Sequence, residues 1–293
     1  MNRAGFAILF AILFNNDVQA GELKSLWQES RAAHYQPAAT QELARAEELF
    51  MDMFAGQGTN PEVTARWRAL GFTTTSVTEG KRRFVVVREA ATRRDGRGFF
   101  VFREHPRRDD ALQAPHAYAD LYTGTIALKL MRSGRFLGLA MNTVPRRYEV
   151  DGKTFGADMA HLEGTYMIAF SHAYARSKPS GRLFQLHGFS AKKRSEGPTS
   201  QAQLIISSGT KRSSSHVQRI VSCLRDLVGD KAKLYPRDVR ELGGTYNRIG
   251  SKLRALGHNG FVHIEMEYEF RRALSKDRAL RGRFLDCLQS AAH

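Results

Sequence analysis

The chain has 293 residues, of which 42% are hydrophobic and 10% aromatic, enough for one large core or for a core with a small appendage. Its 45 lysines and arginines outnumber 29 acidic residues and give a formal net charge of +16. This charge favours anionic partners, such as envelope polymers, nucleic acids or carboxylate-rich small molecules. Because the arginines are scattered along the chain, the composition argues against a dedicated nucleic-acid-binding arm.

The first segment, residues 1–20, is typical of a secretory signal peptide. Arg3 supplies the positive start, Phe6–Phe14 is an unbroken apolar run, and the segment ends in the cleavage-like pattern VQA. That run is shorter than the about 20 residues that a membrane-spanning helix needs. We therefore expect cleavage, a periplasmic or secreted protein, and no membrane span in the mature chain; an uncleaved anchor is the alternative.

The next segment, residues 21–75, is predicted to be helical. The sequence QELARAEELFMDMFA has apolar residues at helical spacing, and PEVTARWRALG begins with proline and ends with glycine. Residues 76–293 are predicted to form the catalytic domain, which opens with the strands RFVVVRE (83–89) and GFFVFRE (98–104) joined by a polar turn.

Helices and strands then alternate to the end of the chain. Helical spacing is found in DLYTGTIALKLMRSG, DMAHLEGTYMIAFSHAYARS, SHVQRIVSCLRDLVG and YNRIGSKLRALG, and strand-like runs in RFLGLAMNT, GRLFQLHGF, QAQLIISSG and NGFVHIEME. The pattern predicts an α/β fold with three layers, in which helices cover a mixed, mostly parallel sheet that opens with a β-hairpin.

Polar side chains stand at four predicted strand ends, where they destabilise the fold unless they are paired. They are His116 with Asp120, Asn142 with Arg146 and Arg147, His187, and Glu265. In open α/β sheets, ligands bind beyond the carboxyl ends of the strands. Two imidazoles and a carboxylate are typical ligands of a catalytic zinc ion. We therefore predict that His116, Asp120 and His187 bind Zn²⁺ and that Glu265 accepts a proton from water.

The order of these elements resembles the zinc carboxypeptidase superfamily, in particular the N-formylglutamate amidohydrolases and poly-γ-glutamate hydrolases. The resemblance covers about residues 80–290: a hairpin, a strand and His116, a strand with the segment NTVPRR, the pair His187-Gly188, and a late strand with Glu265 followed by Arg271. It implies a metal-dependent hydrolase that cleaves an amide or peptide bond in a small, carboxylate-bearing substrate, such as a cell-wall peptide or a formylated or γ-linked glutamate.

The resemblance also suggests roles for other residues. Asn142, Arg146 and Arg147 occupy the position of an element that binds the substrate carboxylate, and Tyr246 that of a tyrosine that contacts substrate. A turn and helix cap is the alternative for Tyr246, and one solvated arginine is the alternative for Arg147.

Several assignments stay open at the level of sequence. Carboxypeptidases place glutamate three residues after the first histidine, whereas Asp120 follows His116 by four, so Asp120 either binds metal or caps the next helix. Glu267 shares a strand face with Glu265 and is the alternative base, and His263 lies on that face as a third metal-ligand candidate.

Two further alternatives concern the cysteines and the function. Cys223 and Cys287 lie in helical segments, and they form either a disulfide in an oxidising compartment or two buried thiols. The alternative to an enzyme is a non-catalytic basic protein that binds an anionic envelope polymer or nucleic acid. The segment RGFFVFREHPRR has the interleaved aromatics and arginines of such a protein, although it is better explained as a hairpin strand.

Overall fold

The computed structural model describes residues 21–194 and 197–290, so the predicted signal peptide lies outside the described residues. Within them, a nine-stranded sheet is covered by helices on both faces. The predicted three-layer α/β fold is confirmed.

The strands are short, with four to eight residues in most. They are β1 (Phe72–Glu79), β2 (Arg82–Glu89), β3 (Phe99–Arg103), β4 (Ala111–Ala114), β5 (Gly138–Met141), β6 (Arg147–Val150), β7 (Lys153–Gly156), β8 (Leu183–Phe189), β9 (Leu204–Ser207), β10 (Ala232–Leu234) and β11 (Phe261–Glu267). Strands β6 and β7 form a separate antiparallel hairpin with mostly exposed residues.

The helices divide between the two faces of the sheet. They are α1 (Glu22–Glu29), α2 (Thr40–Phe54), α3 (Pro61–Ala69), α4 (Thr123–Ser133), α5 (Tyr166–Ser177), α6 (Ser215–Val228), α7 (Arg248–Ala255), α8 (Tyr268–Lys276) and α9 (Arg278–Ser290). Helices α1, α4, α6, α8 and α9 share one apolar core with the sheet, and α2, α3, α5 and α7 share the other.

The strand order is β1-β2-β3-β5-β4-β8-β11-β9-β10. Strands β5, β4, β8 and β11 are parallel neighbours in the centre, and β9 and β10 form a fourth parallel pair. The other four pairs are antiparallel. The sheet is mixed, as predicted, but half of its pairs are parallel rather than most. The difference arises because β1–β3 add a meander at one edge and β9 runs opposite to β11.

Two local expectations need correction. The predicted helical segment 21–75 ends in a strand, because β1 already begins at Phe72 and pairs with β2. Its run TTTSVTE has few apolar side chains, so it lacks the strand signal of its neighbours. The predicted helix over 158–177 begins only at Tyr166, where Thr165 caps it by accepting a hydrogen bond from the Ile168 amide.

The predicted strands at 83–89 and 98–104 pair antiparallel as β2 and β3. All five residues of β3 are buried, including its three phenylalanines. These rings are inside the two cores and are not available to stack on nucleic-acid bases.

Cys223 of α6 and Cys287 of α9 form a disulfide, with a Cα–Cα distance of 5.4 Å. Of the two alternatives that the sequence left open, the disulfide is the one found. Among the described residues, no helix has the length and apolar character required to cross a bilayer.

Candidate metal centre

The carboxyl ends of the central parallel strands bring four of the predicted site residues together. His116 follows β4, and Asp120 lies one helical turn later, where its amide bonds to the His116 carbonyl at 2.8 Å. His187 is near the end of β8, and Glu265 of β11 stands directly opposite it in the strand register. The strand register and a single helical turn thus bring together in one cluster residues that are far apart in the sequence.

Three side-chain atoms of this cluster form a small triangle. The distance from His116 Nδ1 to His187 Nδ1 is 3.2 Å, and Asp120 Oδ2 lies 3.5 Å from the first nitrogen and 3.9 Å from the second. Ligands held about 2.0–2.1 Å from a tetrahedral zinc ion are about 3.3–3.4 Å apart. Two edges of the triangle are within about 0.2 Å of this spacing, and the third, between Asp120 Oδ2 and His187 Nδ1, is longer.

The ring orientation of His116 is set by a carboxylate. Asp158 Oδ1 lies 2.7 Å from His116 Nε2, so this nitrogen carries the proton and Nδ1 faces the triangle. Burial lowers the pKa of His116, but hydrogen bonds and charges from Asp120 and Asp158 outweigh it and raise the pKa to about 8. The centre thus stabilises a positive charge at His116, whether a proton or a metal ion supplies it.

The ring of His187 is oriented by a buried chain of hydrogen bonds. The Ser171 hydroxyl donates to the Met167 carbonyl of α5, so it accepts from Gln113 Nε2 at 2.8 Å. Gln113 Oε1 then accepts from Gln185 Nε2 at 3.0 Å, which leaves Gln185 Oε1 to accept from His187 Nε2 at 2.7 Å. This chain of hydrogen bonds begins at a backbone carbonyl, which can only accept. The donor and the acceptor of each later hydrogen bond follow from that starting point.

A second chain reaches Gln185 independently. Asn247 Oδ1 accepts from the Gly250 amide at the start of α7, so Asn247 Nδ2 donates to Gln185 Oε1 at 2.5 Å. Both chains make Gln185 Oε1 an acceptor, and His187 Nε2 must therefore carry the proton. Burial, with the charges of His263 and His116, lowers the pKa of His187 well below its usual value. Its Nδ1 is an unprotonated nitrogen that faces the triangle.

Asp120 had two possible roles, and its side chain is turned toward the cluster. Its Oδ2 accepts a hydrogen bond from the Gly188 amide at 2.9 Å, and the N-cap of α4 is Tyr122, which makes no side-chain cap. Gly188 has no room for a side chain, because a Cβ would lie 2.2 Å from Nη1 of Arg271. The Arg271 guanidinium instead fills this space and donates to the Leu121 carbonyl at 2.8 Å.

Glu265 and Glu267, the two candidate bases, have different surroundings. Glu267 caps α8 by accepting from the amides of Glu269 and Phe270. Glu265 is 8% exposed, and its Oε2 has no hydrogen-bond partner among the described residues. Burial, reinforced by the charge of Asp120, raises the pKa of Glu265 to about 8. A carboxylate whose pKa is near neutrality and whose oxygen is unoccupied is suited to proton transfer.

His263 lies beside Glu265 on the same strand face. Its ring is 4.6 Å from the ring of His187, and its Nε2 is 3.8 Å from Glu265 Oε1. His187, His263 and Glu265 are therefore a second group that is close enough to share a metal ion. Burial lowers the pKa of His263 to about 3, so its imidazole is neutral.

Asp158 joins His116 to two more exposed side chains, His161 and Arg146. Its Oδ1 also lies 3.0 Å from His161 Nδ1, and its Oδ2 accepts from Arg146 Nη2 at 2.5 Å. Burial opposes the charge of Asp158, but the hydrogen bond from His116 and the neighbouring positive charges lower its pKa well below its usual range. Arg146 is thus tied to the centre through one carboxylate, and its side chain remains 45% exposed.

The other predicted substrate residues are not all assembled. Asn142 is buried, and both ends of its side-chain amide bond to backbone: Oδ1 accepts from Ala117 at 2.7 Å, and Nδ2 donates to the Val144 carbonyl. Asn142 therefore braces the turn that carries His116, because no polar atom is left for a substrate. Arg147 is exposed in β6, and Tyr246 is 87% exposed in the loop before α7.

Sequence reasoning missed the glutamines. Gln113 and Gln185 are fully buried in otherwise apolar strands, and a long polar side chain at such a position was a signal that a partner lies opposite it. Asn247 gave no comparable signal, since asparagine is common at helix N-caps and it does cap α7.

The chain was also compared with known proteins. No protein-family model matches it. No curated protein is significantly similar to it in sequence. The resemblance to zinc carboxypeptidases therefore remains a prediction, which rests on the order of elements in the sequence.

Proposed function

We propose that the protein is an exported, zinc-dependent hydrolase that cleaves an amide or peptide bond in a small, carboxylate-bearing substrate. One observation carries the proposal: two imidazole nitrogens and a carboxylate oxygen converge within 3.2–3.9 Å of one another. Either a proton on His116 Nδ1, which the raised pKa of this imidazole favours, or a metal ion bound by both nitrogens accounts for the short distance between them. The hydrogen bonds to Asp158 and Gln185 hold both rings in this orientation, as partners of metal-binding histidines commonly do.

Zinc fits this donor set better than magnesium or calcium, which prefer oxygen ligands. Bound there, a zinc ion supplies a Lewis acid that lowers the pKa of water toward about 7. In its ionised form, Glu265 would accept a proton from water on its free Oε2 and would deliver it to the leaving nitrogen. The buried position of Glu265 excludes bulk water from this transfer.

The charges near the centre favour an anionic substrate. Arg146 is half-exposed beside Asp158, and the charges of Arg194 and Arg271 act on Glu265. A guanidinium is always charged and matches a carboxylate in geometry. Formylated or γ-linked glutamates and cell-wall peptides carry the carboxylate that these cations would bind.

Export agrees with the disulfide between Cys223 and Cys287, since disulfides persist in oxidising compartments. The signal-peptide pattern of residues 1–20 supports the same location.

The test begins with metal. Chelator-treated protein is titrated with Zn²⁺ in a calorimeter, and we expect about one ion per chain. The double variant His116→Ala, His187→Ala should lose this binding. The control variant His172→Ala should keep it, because the His172 ring pairs with Glu47 on α2 instead. Stoichiometric binding that survives the double variant would disprove the centre.

Activity is then measured on N-formyl-glutamate, a γ-glutamyl peptide and a cell-wall peptide, with and without zinc. Hydrolysis that needs zinc and is lost in Glu265→Gln supports the proposal. Tight zinc binding without hydrolysis of any acidic amide would contradict the enzymatic part alone.

A further inference from the structure

A pocket lies beside the turn at residues 116–122, where helix α1 meets the start of helix α4. It is bounded by helix α1 and by residues 117–125, and we call it the α1–α4 pocket. Its volume is about 440 Å³, within the range of about 300–1,000 Å³ that small-molecule sites have. None of the proposed metal ligands lines it, so it is a separate cavity.

The walls of the pocket are aromatic. The rings of Trp27 and Tyr118 stack with centroids 4.8 Å apart, and Tyr122 and the 56% exposed Leu121 complete the apolar lining. Trp27 is fixed in place, because its indole nitrogen donates to the Asn142 carbonyl at 3.2 Å. It also packs closely on Gly124, where a Cβ would lie 2.5 Å from the indole ring. The aromatic wall is therefore preformed.

One cation stands at this wall. The Arg31 guanidinium lies 5.2 Å above the Tyr118 ring and is exposed. Within residues 21–194 and 197–290, no carboxylate lies within 4.0 Å of it, and no acidic side chain lines the pocket. The nearest acidic residue on α1, Glu29, instead pairs with Arg88 at 3.1 Å. The pocket thus joins an apolar interior to a single unneutralised positive charge.

We infer that the α1–α4 pocket binds a small aromatic or branched aliphatic carboxylate, with the apolar group against the lining formed by Trp27, Tyr118 and Leu121 and the carboxylate on Arg31. A planar guanidinium binds a carboxylate through two parallel hydrogen bonds, and a stacked aromatic wall favours a ring. This inference does not depend on the proposed hydrolase, because the ligand needs neither the metal nor Glu265.

The experiment uses phenylacetate as the probe and phenylacetamide as its uncharged counterpart, both with chelator-treated full-length protein. The chain has two tryptophans, so Trp67→Phe leaves Trp27 as the only fluorescent indole. We expect phenylacetate to change this fluorescence saturably, with a dissociation constant of about 1 mM or lower. Calorimetry on the wild-type protein gives the same constant without relying on the Trp67 substitution.

The charge on the pocket is tested with Arg31→Gln. This exposed substitution should weaken phenylacetate binding about tenfold or more and leave the weak binding of phenylacetamide unchanged. The matched control is Arg240→Gln, which removes an exposed arginine beyond β10 at the far edge of the sheet and should have no effect. No saturable binding of phenylacetate, or equal affinities for the acid and the amide, would overturn the inference. So would an Arg31→Gln variant that binds as well as the wild type.

Because the titrations are done without metal, their failure leaves the zinc centre untouched. Loss of zinc binding in the centre variants would likewise leave the pocket in place.

Discussion

The buried hydrogen-bond chain leads to our most specific prediction, the substitution Gln185→Leu. Leucine has nearly the volume of glutamine but removes the acceptor that holds His187 Nε2 at 2.7 Å. His187 can then place its proton on Nδ1, the atom that should bind metal. Removing a hydrogen-bond partner of this kind typically lowers metal affinity about 10–100-fold, so we expect the zinc dissociation constant to rise by a factor of that size.

The same substitution should also lower the stability of the metal-free protein. It leaves Gln113 Oε1, Asn247 Nδ2 and His187 Nε2 buried without their partner. Each unsatisfied group costs about 1–3 kcal/mol, so the free energy of unfolding should fall by at least about 3 kcal/mol. Urea unfolding monitored by circular dichroism measures this loss.

A control separates the two effects. Gln113→Leu breaks the same chain one step earlier, so it too should lower the free energy of unfolding, by about 1–3 kcal/mol. It leaves Gln185 Oε1 against His187, because Asn247 still donates to that oxygen. Zinc affinity should therefore stay within about threefold of wild type. If both variants lose zinc affinity equally, or if Gln185→Leu loses none, the tautomer argument is wrong.

Three more predictions follow from the centre and the fold. Glu265→Gln should still bind zinc, but its kcat should fall about 10²–10⁴-fold. Glu267→Gln, which changes the N-cap of α8, should lower stability rather than turnover. Steady-state rates on an acidic amide distinguish the two variants. Arg146→Ala should raise KM more for an acidic amide than for its amidated analogue; equal increases would mean that Arg146 acts only through Asp158. Reduction of Cys223–Cys287, which closes a loop of 64 residues, should lower the free energy of unfolding by about 4 kcal/mol, and an unchanged denaturation midpoint would contradict this.

The sequence was sufficient to predict the cluster of His116, Asp120, His187 and Glu265, because all four follow from one rule about the ends of parallel strands. In the segment GADMAHL, Asp158 can either cap a helix or orient a metal-binding histidine, and the 2.7 Å contact with His116 matches the second role. Whether these residues bind metal remains a prediction.

The rest depended on three-dimensional detail that periodicity does not contain. Asn142 has the right position in the sequence for a substrate contact, but its side-chain amide forms hydrogen bonds with two backbone groups. These groups belong to a turn whose shape the sequence does not specify. The role of Gln185 depends on which residues stand beside it in strand β4 and at the start of α7, and strand order was not predictable from the pattern. The choice between Glu265 and Glu267 likewise needed the cap of α8.

The hydrogen-bond chain that begins at Ser171 has a consequence for how the protein responds to distant mutations. Ser171 follows Phe170, which packs against Phe50, Phe54 and Phe100 in the aromatic core between α2, α5 and the sheet. A shift of α5 by a fraction of an ångström would change the contact between Ser171 and Gln113, whereas Asn247 would still hold Gln185 Oε1 against His187. Core substitutions such as Phe54→Leu should therefore lower the melting temperature but keep zinc affinity within about threefold of wild type, so the second chain protects the centre from packing defects on that face.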